Sequence, residues 1–97
     1  MLATRTTVLI IDKDPVIQQT LNCILSANGI GCIIAGGTEQ GLEKLQRKPT
    51  AIIIDPDFSD MDGQEFIIEL RTHSNLPILV HTRNTDEAFR ITNLGIL

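Results

Sequence analysis

Six of the twelve acidic residues in this 97-residue chain fall in two short segments. Asp12 and Asp14 form one group, and Asp55, Asp57, Asp60 and Asp62 form the other. Carboxylates brought together raise one another's pKa, and a hard divalent cation relieves the repulsion. Mg²⁺ in particular takes one or two carboxylates together with waters and phosphate oxygens. Asp12 ends the apolar run Val8-Leu9-Ile10-Ile11, and Asp55 ends the run Ala51-Ile52-Ile53-Ile54. Thr82 follows a further such run, Pro77-Ile78-Leu79-Val80, one residue after His81, and a hydroxyl there is expected within reach of any phosphoryl group held on Asp55. Asp14 stands directly before Pro15 and reads as a helix N-cap, with proline at the first position, where its missing N–H costs nothing. Asp55 is followed by seven further loop residues, so it caps nothing nearby.

The elements that must position these groups follow from the apolar pattern. Four short unbroken runs, near residues 8–11, 30–35, 51–54 and 77–80, fit strands covered on both faces of a parallel sheet. Helical periods separate them. Ile17, Leu21, Ile24 and Leu25 mark an inward face that ends at Asn28-Gly29. Leu42 and Leu45 mark a second helix beginning at Thr38 and stopping before Pro49, and Phe66, Ile67 and Leu70 mark a third over about 63–72. A fourth is expected from Thr85, with Ala88, Ile91 and Leu94 inward and Gly95 at its end. The order βαβαβαβα predicts one domain over 1–97, a doubly wound α/β sandwich with four βα units. In such sheets ligands bind beyond the carboxyl ends of the strands, where strand order reverses. Asp12 and Asp55 meet there if their strands are neighbours.

Composition removes several function classes. A net charge of −4 and an aromatic share of 3% disfavour nucleic-acid binding, which needs a basic face or stacking platforms. No apolar run has the length of a membrane span, and the first residues lack a signal-peptide layout. Cys23 and Cys32 form no disulfide scaffold or zinc pattern and are expected as inert core thiols in a cytoplasmic protein. His73 is expected exposed after the third helix. His81 is placed at the fourth strand as a surface or edge residue.

At this point the sequence resembles response-regulator receiver domains of two-component signalling. Val8 to Pro15 looks like their opening, and Asp55-Pro56-Asp57-Phe58-Ser59-Asp60-Met61-Asp62-Gly63 looks like their phosphoacceptor loop. Pro77 to Thr82 is similar to their fourth strand with its switch hydroxyl. The resemblance implies a flavodoxin-like fold in which Asp55 accepts a phosphoryl group from a histidine kinase or phosphotransfer protein. It implies Mg²⁺ held by Asp12, Asp55 and the backbone carbonyl of Asp57, with Thr82 coupling phosphorylation to a surface read by an effector. Such a module is a switch and not an enzyme, beyond self-phosphorylation and self-dephosphorylation.

The chain departs from that pattern in places. Lys13 stands where the family has a second adjacent acid, which weakens the metal site. Pro56, Ser59 and Arg83 are unusual for the family. The fifth strand with its lysine, and the helix after it, have no counterpart, so the fourth strand is expected to leave an exposed apolar edge suited to a homodimer. A degenerate receiver that binds partners without phosphorylation is therefore a second reading. A third takes Asp55-Pro56-Asp57 as similar to the Asp-x-Asp motif of haloacid-dehalogenase-type phosphatases, with Thr82 as their second motif. That family needs a later lysine and further acids, which this sequence does not show.

Overall fold

In a computed structural model, the described residues are 6–55, 63–81 and 89–92. In chain order they form β1 (Thr7–Ile11), α1 (Pro15–Ala27), β2 (Gly31–Ala35), α2 (Thr38–Lys44), a 3-10 turn at Leu45–Arg47, β3 (Ala51–Ile54), α3 (Gly63–His73), β4 (Ile78–His81) and β5 (Phe89–Thr92). The sheet order is β2-β1-β3-β4-β5, and the first four strands pair in parallel. Strand order reverses between β1 and β3, so the two acid-tipped strands are neighbours, which is the condition for Asp12 and Asp55 to meet.

Alternation along each strand sorts side chains to the two faces of the sheet. Leu9, Ile11, Ile52, Ile54, Ile78 and Val80 share one buried cluster with Phe66, Ile67 and Leu70 of α3, and with Leu42 and Leu45. Val8, Ile10 and Ile53 face the other way, against Leu21 and Leu25 of α1, and Leu79 joins them. The expected inward face of α1 holds at Leu21 and Leu25, but Ile24 is 54% exposed. Cys23 is likewise exposed rather than a core thiol, and Cys32 is half-buried. On α1 the residues packed against the sheet are Leu21 and Leu25, and Cys23 and Ile24 lie off that stripe.

Helix ends follow their sequence signals. Asp14 caps α1, its side chain accepting from the Val16 N–H at 2.9 Å. At the other end Gly29 has φ +77°, and the Ile30 N–H reaches back to the Leu25 carbonyl at 2.9 Å, which closes the helix in a left-handed turn.

The fourth expected helix is corrected. Phe89–Thr92 is a strand, antiparallel to β4, with Leu79 opposite Ile91 and Val80 opposite Arg90. Thr85, Ala88, Leu94 and Gly95 lie outside the described residues. The physical reason lies in β4 itself. The outer edge of β4 carries backbone N–H and C=O groups that need partners, and pairing them with Phe89–Thr92 outweighs a helical period in that segment. The edge expected to serve a homodimer is thus occupied by the chain's own β5.

Gly41 of α2 lies where the helix comes closest to β1. A Cβ there would stand 2.9 Å from Ile11 Cδ1 and 3.2 Å from Phe66 Cζ, and both partners are fully buried. Gly41→Val therefore overpacks the core beneath the acid-bearing end of β1. It is expected to lower stability by about 2 kcal/mol, read as a lower urea midpoint at unchanged slope. A variant as stable as the parent would show that this contact has slack.

Candidate functional site

The site grows out of the β1–β3 ladder. Ile11 pairs with Ile54, and the hydrogen bonding continues one step further: the Asp55 N–H donates to the Ile11 carbonyl at 3.1 Å. On the other side of β1, the Asp12 N–H donates to the Ala35 carbonyl at 3.0 Å. Asp12 and Asp55 therefore sit at matching positions on adjacent strands. Each has the parity of the α1-facing residues before it, Ile10 and Ile53.

Both acids are buried, Asp12 with 2% and Asp55 with 6% of its surface exposed. The Asp12 side chain accepts the Asp14 N–H at 2.8 Å, and its carbonyl accepts the Gln18 side-chain amide at 2.5 Å. The first turn of α1 is thus tied to the end of β1. Burial raises the Asp12 carboxyl above its ordinary value of 3.8. The Asp14 N–H opposes that shift, the Asp55 and Asp14 carboxylates add to it, and the His81 ring nearby opposes it.

Lys13 is exposed and adds no buried charge at the pocket. Asp14 is half-buried and serves the helix cap, as the sequence predicts. His73 is exposed, with Nε2 3.6 Å from Glu69 Oε2. Asp57 and Thr82 lie outside the described residues, as do Pro56, Ser59, Asp60, Asp62 and Arg83. Among the described residues no three His, Cys, Asp or Glu side chains form a metal-holding group. The two carboxylates nevertheless suit a cation such as Mg²⁺, which accepts one or two protein carboxylates and completes its shell with water and phosphate. His81, expected as a surface or edge residue of the fourth strand, is half-buried and stands one residue past Val80, in line with Asp12 and Asp55. Its signal was present, because it follows Val80 just as Asp12 follows Ile11 and Asp55 follows Ile54.

Comparison with known proteins matches the description "Response regulator receiver domain" over residues 8–96. The chain belongs to the response regulator receiver family. The receiver domain is 36% identical over 90 residues to the KDP operon transcriptional regulatory protein KdpE of Escherichia coli K12, covering 92% of this chain and 40% of that protein. Among solved structures, a response regulator receiver protein from Pseudomonas putida superposes with a TM-score of 0.77 at 26% identity, covering 90% of this chain and 77% of that one. The chemotaxis response regulator CheY4 of Vibrio cholerae superposes with a TM-score of 0.77 at 30% identity, covering 84% and 72%. The chain spans about two-fifths of the length of the curated relatives it matches. Receiver domains are signalling modules of two-component systems, and this assignment displaces the phosphatase reading. Among the described residues no helix is long and apolar enough to cross a membrane.

The raised Asp12 carboxyl has a consequence for stability. A folded-state pKa above the unfolded value means the native state holds the proton more tightly, so stability falls as pH rises from about 3.8 through the raised value. Asp12→Asn keeps an acceptor for the Asp14 N–H and removes the buried charge. It is expected to raise the melting temperature by a few degrees at pH 7 and to lose that advantage below pH 3.8. Thermal melts across that range check the sign. A variant less stable than the parent at pH 7 would contradict it.

Proposed function

We propose that this receiver domain accepts a phosphoryl group on Asp55 from a histidine kinase or phosphotransfer protein and passes the change to an effector domain or protein. The observation that carries the reading is the buried pairing of Asp12 with Asp55 at the sheet's switch point. In the transfer, an Asp55 carboxylate oxygen attacks phosphorus as the bond to the donor histidine nitrogen breaks, and the imidazole leaves and takes up a proton. Asp12 and Asp55 would hold Mg²⁺, with the Asp57 carbonyl as a further donor, and the cation would supply positive charge for the phosphoryl oxygens. Thr82 would be the hydroxyl that couples phosphorylation to the outer surface. The outcome is a shift of population between two surfaces rather than substrate turnover.

Several features support the pocket's part in this. The Asp14 N–H and the Gln18 amide fix Asp12 from the helix side, so the pocket needs little rearrangement to meet a ligand. Exposed Val16, in the first turn of the adjoining helix, offers apolar surface beside the pocket for a donor protein. The relatives named as transcriptional regulators make a DNA-binding partner domain a reasonable effector, whereas this domain itself is acidic.

Lys13 favours a second reading, a pseudo-receiver whose partners bind it without phosphorylation. An exposed ammonium in place of a ligating carboxylate weakens the hold on Mg²⁺. One experiment separates the two. Incubation with a small phosphodonor and Mg²⁺, followed by intact-mass measurement, is expected to show one added phosphoryl group, lost in Asp55→Asn. Lys13→Asp is expected to move the Mg²⁺ requirement to about tenfold lower concentration, which corresponds to about 1.4 kcal/mol. No mass gain in either the parent or Lys13→Asp would select the pseudo-receiver.

A further inference from the structure

His81 belongs to the same row as the two acids. Ile11, Ile54 and Val80 lie side by side across β1, β3 and β4, through the pairings Ile11 with Ile54 and Ile54 with Val80. One residue further along each strand stand Asp12, Asp55 and His81. Parity sends all three the same way: Ile10, Ile53 and Leu79, two residues before each, pack on the α1 face of the sheet. The His81 ring, half-buried at the strand's end, is therefore a flank of the pocket on the side away from Asp12, with Asp55 between.

We propose that His81 is a phosphoryl-contacting residue of this pocket, donating an imidazole N–H to an oxygen of the phosphoryl group carried on Asp55. The inference rests on the reading of Asp55 as the acceptor and adds a residue to it. A phosphoryl group is a dianion that needs several preorganised donors, and charge-assisted hydrogen bonds serve it best. Imidazole retains an N–H in both protonation states, so the contact does not depend on His81 titrating. The pocket has particular use for such a donor, because Lys13 has replaced a carboxylate that would have strengthened the cation's hold. The electrostatic coupling of His81 to Asp12 across the row agrees with this placement.

The test uses the full chain uniformly labelled with ¹⁵N, so that backbone amides and histidine ring nitrogens are both observed, and beryllofluoride with Mg²⁺ as the phosphoryl mimic. The chain has two histidines, and exposed His73 beside Glu69 serves as the internal reference. The expected result is a shift of the Asp55 backbone amide together with a His81 ring nitrogen, while the His73 ring stays in place. His81→Ala is expected to weaken beryllofluoride binding about tenfold, the size of one lost hydrogen bond to a charged group. His81→Gln, which retains an N–H donor, is expected to recover most of that loss. If the Asp55 amide responds and the His81 ring does not, this proposal is overturned while the acceptor reading stands. If neither responds, both are overturned. The ring measurement on the unaltered chain decides the matter even where a variant folds poorly.

Discussion

The parallel pairing of β1 with β3 fixes Asp12 and Asp55 side by side at the pocket. Register in a sheet is set by which face each residue buries, and a slip of one residue would move every side chain to the opposite face. Here the register is held from both sides. Leu9, Ile11, Ile52 and Ile54 bury against α3, while Val8, Ile10 and Ile53 bury against α1. Asp12 and Asp55 are the first residues past that apolar agreement. They are forced side by side because the residues before them have no freedom to slide.

The cost of this arrangement is electrostatic. Asp12, taken out of water at a strand end with the Asp55 carboxylate beside it, disfavours its own ionisation, and its raised pKa shows it. The backbone compensates in part, through the Asp14 N–H on the Asp12 carboxylate. The helix cap and the pocket are thus one construction: Asp14 turns the chain into α1 with its side chain and supports Asp12 with its main chain. A core packed tightly around Gly41 and Ile11 gives that construction a firm base.

Much of this was legible in the sequence, because the informative signals were local. The unbroken β-branched runs gave all four parallel strands, and Asp14-Pro15 gave the cap. Asp12 and Asp55 stood out by type and by their place behind those runs. The segment at Phe89–Thr92 was misjudged for a non-local reason. Ala88, Ile91 and Leu94 repeat at a helical interval, but the demand of an unpaired β4 edge depends on the whole sheet. His81 was undervalued for a related reason. Its meaning comes from lying in line with Asp12 and Asp55, and that line exists only once three strands are in register. Ile24 and Cys23 read as core by chemistry, yet the stripe of α1 that meets the sheet is the one through Leu21 and Leu25.

The central claim is that register brings Asp12 and Asp55 close enough to act as one electrostatic unit. Carboxyl ¹³C titration of Asp12 by NMR, in the parent chain and in Asp55→Asn, measures this directly. The parent is expected to titrate above 3.8, and removal of the Asp55 charge is expected to bring the Asp12 midpoint down. An Asp12 midpoint in the ordinary range, or one indifferent to Asp55→Asn, would contradict the account.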